Sequence, residues 1–266
     1  PMYYSWSIFA PRITADLGVD RSDIGGVFGL FSTLYQCVGV LVGFAIGRLG
    51  LRRVMTAGFM VTAAGLLLVA RAETVFDCYV GYSLLGGIGV GFSTIVPAQT
   101  LGQNWFLRRR AFVIGVIFAF GGVVGWLVAP IDAWVLARYD WRLGWTGIAA
   151  LSGFLAVLAG VFVRETPESV GQRRDGVEMG TVVHSRVAKQ ATIADRWTAE
   201  QAIRTPQFLL MLVCGVAYAM PWNTAVAHLT LHLIDVGHAE TVAIRCLLYT
   251  TDAADENRAE ELGARR

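Results

Sequence analysis

His228, His232 and Asp235 stand at i, i+4 and i+7, the spacing that puts three side chains on one face of a helix. The trio could ligate a metal, but no second ligand cluster accompanies it in the sequence. A histidine on this face could instead carry a proton or hydrogen-bond a carboxylate. Just upstream, Trp222 and Asn223 follow Pro221, whose missing N–H frees a carbonyl about four residues earlier. Inside an apolar run such a gap is tolerated only where protein or a water-filled cavity satisfies it. Other polar side chains are threaded through apolar sequence. Gln36 shares a stripe with Gly25, Gly29, Ser32, Gly39 and Gly43, and Thr94 shares one with Ser83, Gly87, Gly91 and Ala98. Tyr3, Tyr4 and Trp6 lie near the start. A helix-packing seam also accounts for the glycines, but a mid-span amide such as Gln36 needs a partner or water. These groups suit non-covalent recognition of a small polar solute. No nucleophile–base pair, phosphate loop or ligand cluster points to an enzyme, a cofactor or a metal.

The elements that must position these residues announce themselves between Trp105 and Gly125, WFLRRRAFVIGVIFAFGGVVG. Arginine is costly in hydrocarbon, so Arg108, Arg109 and Arg110 belong in water or among headgroups. The run behind them is long enough to cross a bilayer, and Gly115, Ala119 and Gly122 leave a groove for another helix. Composition agrees: 55% of residues are apolar, only 16% are charged, and mean hydropathy is +0.54. A net charge of +2, dispersed over short connectors, excludes a nucleic-acid partner and leaves the lipid bilayer as the surrounding medium.

Apolar stretches of spanning length run roughly over 24–46, 54–69, 79–98, 111–135, 143–163 and 206–233, preceded by a short one over 2–11. About ten helical residues cover about half of the ~30 Å core, which predicts a first span without its beginning. Arg48, Arg52, Arg53, Arg108–Arg110 and the basic 164–205 segment fall on one side of the membrane. Connectors with mixed charge (Asp16 to Asp23, Arg71 to Asp77, Arg138 to Arg142) fall on the other. The positive-inside rule puts the first set in the cytoplasm. Asp132, near the outer end of its span, reads as an interfacial residue rather than a proton site. Arg12 reads as an outer access residue. Cys37, Cys78 and Cys214 read as small apolar helix residues. Thr198 and Gln201 have capping-box spacing, which predicts a short interfacial helix ahead of Pro206.

In order and on the correct side, several motifs carry a resemblance. They are GFAIGRLGLRR between the second and third spans, WFLRRRAFVIG followed by AFGGVVG, and RYDWRLGW. PESVGQRRDG and TPQFLLMLVCGVAYAMPWNTAVAHLTLHLIDVGH complete the set. The chain resembles the major facilitator superfamily of secondary transporters, within it the monocarboxylate porter and oxalate/formate antiporter branch. The resemblance implies an all-α integral membrane fold: an N-terminal six-helix bundle plus the first helix of a second bundle. It implies a cavity between the halves that takes a small organic anion, a mono- or dicarboxylate, by proton-coupled symport or exchange through alternating access. It implies a monomeric parent in a bacterial inner membrane. Candidate substrate-binding residues are Tyr4, Gln36, Thr94, Trp222, Asn223 and His228; candidate gating residues are Gly43, Arg48, Arg52 and Arg53. One departure concerns the gate: the family usually has an aspartate just before the Arg48 position, and here that residue is Gly47.

The expected organisation is a transmembrane bundle over 1–163, a cytoplasmic loop over 164–205, a seventh helix and the start of a second bundle over 206–244, and a tail over 245–266. RCLLYTTDAADE (Arg245–Glu256) resembles, with one difference, a translated transposase adapter, so the tail is expected to be artefactual and the chain a fragment. Such a fragment is expected to be poorly stable or to self-associate, and not to transport alone. No full span has a charged residue at its centre, and the branch carries its substrate-pairing basic residues in the second bundle. A drug or neutral-solute exporter, or a membrane sensor or scaffold, are the other expectations.

Overall fold

The computed structural model describes residues 2–106, 109–171 and 204–237. The adapter-like tail, the interfacial helix expected around Thr198 and Gln201, and most of the 164–205 loop lie outside these residues.

Helices follow the apolar runs because a chain in lipid must satisfy every backbone group within its own segment. They are α1 (Met2–Leu17), α2 (Arg21–Leu49), α3 (Leu51–Ala70), α4 (Val75–Cys78), α5 (Gly87–Ser93), α6 (Ile95–Trp105), α7 (Arg110–Arg138), α8 (Trp141–Phe162) and α9 (Pro206–Asp235). A π-helical stretch, Tyr79–Gly86, joins α4 to α5, so α4 to α6 form one interrupted span, Val75–Trp105. Among the described residues, five segments (α2, α3, the α4–α6 span, α7 and α8) are long and apolar enough to cross a membrane. The protein is a multi-pass membrane protein.

One expected boundary is corrected. The first helix does not end at Pro11 but runs through it to Leu17. A proline forfeits one bond of the ladder, a loss that does not end a helix packed on neighbours. α9 runs through Pro221, continuous from Pro206 to Asp235. Its start is set by Thr205, whose hydroxyl accepts the Phe208 N–H at 3.3 Å.

Small residues decide which helices touch. A Cβ at Gly58 on α3 would sit 2.8 Å from the carbonyl oxygen of Gly89 on α5, and one at Gly65 would sit 2.5 Å from that of Gly81. Glycine there lets two backbones meet without a side chain between them. Gly87 and Gly91 approach α2 in the same way, and the Ser83 hydroxyl donates to the Val27 carbonyl at 2.6 Å. The seams expected on α2 and α7 are another matter. A Cβ at Gly29, Gly39, Gly43, Gly115 or Gly122 would meet nothing within 4 Å, so no described helix packs there.

Between the helices lies an aromatic core. Trp6 is 1% exposed and packs on Tyr82 at 4.1 Å between ring centroids; Phe31 packs on Tyr82 at 4.7 Å and Phe9 on Trp145 at 5.2 Å. Edge and tilted ring pairs of this kind fill space and fix relative helix positions.

The mixed-charge connectors pair with one another. Arg142 donates to Asp16 at 2.5 Å, to Asp140 at 3.3 Å and to the Ala72 carbonyl at 3.1 Å, and the Trp141 indole N–H reaches Asp16 at 3.3 Å. The Arg142 guanidinium holds the exposed Asp16 carboxyl below the usual carboxylate range. The RYDWR motif thereby ties the ends of α1, α3 and α8 on one membrane face, called here the mixed-charge face.

On the opposite, arginine-rich face, the Trp105 indole donates to the Arg164 carbonyl at 2.9 Å and the Asn104 amide to the Glu165 carbonyl at 3.2 Å. Trp105 thereby latches the end of α6 to the segment after α8.

Candidate functional site

A cavity of about 570 Å³ opens between α1, α2, α3, α5, α6, α8 and α9. Tyr3 and Tyr4 enter it from α1, Gln36 from α2, Thr94 from the α5–α6 junction and Asn223 from α9. Phe31, Phe59 and Leu151 are among its apolar walls. Four of the substrate-binding candidates, Tyr4, Gln36, Thr94 and Asn223, thus share one cavity although up to 219 positions separate them, Tyr4 to Asn223.

Each polar group has a local cause. Thr94 stands where the span breaks: its φ of −111° and ψ of −104° are not helical. Its N–H and hydroxyl both turn to the Val90 carbonyl, at 3.0 and 2.7 Å. Irregular backbone at membrane depth is tolerated where it borders a cavity, as this one does. Asn223 donates to the Ala219 carbonyl at 2.7 Å and accepts from the Tyr3 hydroxyl, which bridges α1 and α9. The Ser32 hydroxyl, one turn before Gln36 on α2, is buried without a partner. Amide, hydroxyl and phenol groups among aromatic walls can hydrogen-bond a small polar solute from several sides while excluding bulk water. Among the described residues, no charged side chain lines the cavity.

His228 does not join this group. It lines a separate recess of about 170 Å³ at the mixed-charge face, with Trp6, Arg21, Gly25, His232 and Asp235. Its Cε1 lies 3.5 Å from where a Cβ on Gly25 would be. Arg21 pairs with Asp235 across this recess, so α2 and α9 are tied at their ends. For Trp222 only the backbone, inside α9, is described.

The gating candidates lie at the arginine-rich face. Arg48, Arg52 and Arg53 are exposed and line a shallow recess with Gly47, Gly50 and Glu165; Gly43 is exposed along α2. Gly50 has φ +84°, and a Cβ there would collide with the Glu165 carboxylate. Glu165 therefore brings a carboxylate to the loop that lacks the family's aspartate at Gly47. In the sequence Glu165 opens the 164–205 segment beside Arg164, more than a hundred positions from Arg48, Arg52 and Arg53, so nothing local signals this approach.

Asp132, read from sequence as lying at the outer end of its span, faces protein: the side chain is 4% exposed and Oδ2 has no hydrogen-bond partner. Its neighbour on α1 is Ser5. Trp134, which is exposed, does not share its environment, because on a helix residues two apart face different ways. Arg12 is exposed and lines a crevice of about 330 Å³ with Ala15, Asp16, Leu136 and Tyr139.

Residues 2–249 match the family described as Major Facilitator Superfamily. Monocarboxylate transporter 2 of Mus musculus is 22% identical over 218 residues, 82% of this chain and 44% of that protein. A probable sulfoacetate transporter of Cupriavidus necator is 26% identical over 164 residues, 61% of this chain and 37% of that protein. The crystal structure of a D-xylose–proton symporter superposes with a TM-score of 0.58 at 14% identity, covering 94% of this chain and 63% of that one, a likeness of fold. The chain spans less than half the length of these curated relatives.

Proposed function

The chain belongs to the major facilitator superfamily, and on that premise we propose that it forms the substrate-binding part of a secondary carrier for small organic anions, mono- or dicarboxylates, driven by protons or by exchange. Residues 1–163 act as the first bundle, 164–205 as a cytoplasmic connection and 206–244 as the start of the second bundle. The mixed-charge face is periplasmic and the arginine-rich face cytoplasmic, in a bacterial inner membrane.

The observation that supports this reading is the convergence of Tyr4, Gln36, Thr94 and Asn223 on one cavity in a chain similar to monocarboxylate transporters. Hydroxyl and amide donors hold the carboxylate oxygens, and the aromatic walls take the carbon chain. Tyr3 and Asn223 join the two sides of the cavity. Substrate that binds one arrangement of these sides more tightly than the other shifts the balance between inward and outward states. Arg48, Arg52, Arg53 and Glu165 hold the cytoplasmic side, and Arg21 with Asp235 the periplasmic one.

The absence of a charged group from the described lining favours a second reading, a carrier of neutral solutes. One experiment separates the two. The full-length gene product is reconstituted in proteoliposomes and offered labelled monocarboxylates, dicarboxylates, sulfonated carboxylates and neutral sugars. Uptake of an anion that falls in Gln36→Ala and Asn223→Ala supports the first; uptake of neutral solutes alone sinks it.

A further inference from the structure

Asp132 is an ionisable side chain inside a span, and the cavity does not use it. It sits on α7 where that helix crosses α1, 4% exposed, with Ser5 as its polar neighbour and Oδ2 unpartnered. Ala129, one turn below, is 1% exposed, so protein packs closely around the crossing. A carboxyl in such a place is costly to keep and signals a use.

The position along α7 indicates which use. Leu136, one turn towards the mixed-charge face, lines the crevice that also holds Arg12, Asp16, Tyr139 and Asp140. Gly125, two turns the other way, lies against Tyr4: a Cβ there would sit 2.6 Å from Tyr4 Cε2, and Tyr4 lines the central cavity. At 1.5 Å per residue, Asp132 lies roughly 6 Å along the axis from the crevice lining and roughly 10 Å from the cavity lining. It is a stepping stone between outer water and the substrate cavity.

We propose that Asp132 is a proton-exchange site of the carrier, loaded from the crevice between α1 and α7 and unloaded towards the cavity at Tyr4. The step is a proton transfer alone: hydronium arriving through the crevice protonates the carboxylate and leaves water, Ser5 holds the other oxygen, and the proton later passes to a cavity water as hydronium, restoring the carboxylate. The ionisable groups around the path are Arg12, Asp16, Tyr139 and Asp140 at its mouth and Tyr4 at its inner end. This proposal deepens the carrier reading and rests on it for its purpose, but the site itself can be tested separately.

The first measurement is infrared difference spectroscopy of the full-length gene product in lipid, titrated from mildly alkaline to mildly acid pH. The expected result is a neutral-carboxyl stretch that grows as pH falls, disappears in Asp132→Asn and shifts in frequency in Ser5→Ala. A spectrum in which no such stretch depends on Asp132 overturns the proposal.

The second is transport. Asp132→Asn is expected to retain solute counterflow and to lose accumulation driven by a proton gradient, down to the level of liposomes without protein. Loss of counterflow and accumulation together marks a structural residue and overturns the coupling role, as does undiminished accumulation. If the wild type moves no organic anion while the Asp132 stretch still titrates, the carrier reading fails and the proton site stands.

Discussion

Arg21, the first residue of α2, and Asp235, the last of α9, form an ion pair that ties the far end of the described chain back to its beginning. Both side chains are about half exposed, at 53% and 47%, so solvent screens the pair. Ion pairs this exposed contribute little to stability. The clasp is therefore weak enough to open in a working cycle. Replacing Arg21 by Gln should raise the rate at which an impermeant maleimide labels a cysteine placed at the buried Ile24, by up to about fivefold. An unchanged rate would show that the pair seals nothing.

Tyr3 and Asn223 couple α1 to α9 inside the cavity. Tyr3→Phe and Asn223→Ala should each lower thermal stability. A double-mutant cycle should return a coupling of about 0.5–1.5 kcal/mol, the range of one neutral hydrogen bond. Strictly additive losses would mean that the two side chains act independently.

Glycines of like appearance should behave in opposite ways. Gly89→Val puts branched carbons against Thr62 and the Gly58 carbonyl, where a Cβ alone would lie 2.6 Å from the Thr62 amide nitrogen. It should cost about 1–3 kcal/mol. Gly115→Ala meets nothing within 4 Å and should be neutral or stabilise by up to about 1 kcal/mol. Melting temperatures of the two variants in the same detergent decide this.

Asp16 predicts acid sensitivity at the mixed-charge face. Its carboxyl is held below the usual range, chiefly by the Arg142 hydrogen bond, so the stabilisation is present above the ordinary carboxylate range. It is lost as pH falls through the lowered value. A fluorotryptophan resonance at Trp141, which also hydrogen-bonds Asp16, should shift over that acid range in the wild type. In Asp16→Asn it should stay constant with pH, and a shift of equal size there would refute the assignment.

Much of the architecture was legible because hydrocarbon imposes a local rule. A segment without water must be helical and apolar, so span positions could be read from runs such as Ala111–Val135 without knowing their neighbours. Polar residues that recur through such runs, Gln36, Thr94 and Asn223, were legible as exceptions to that rule. What no run disclosed was direction. The glycines of α2 and those of α5 follow similar spacings, yet Gly87 and Gly91 meet α2 while Gly29, Gly39 and Gly43 meet nothing. Asp132 lies near exposed aromatic residues in sequence and is buried in space.

The sequence by itself determined that this chain is a set of membrane-spanning helices of the major facilitator kind, because hydropathy, arginine placement and motif order act within each segment. Only the tertiary structure decided that Tyr4, Gln36, Thr94 and Asn223 share a cavity, that His228 belongs to a separate recess, that Glu165 approaches the arginine loop and that Asp132 is sealed against Ser5. Those outcomes depend on how helices rotate about their axes when they pack. Rotation is set by contacts among residues far apart in the chain, and no local pattern encodes it.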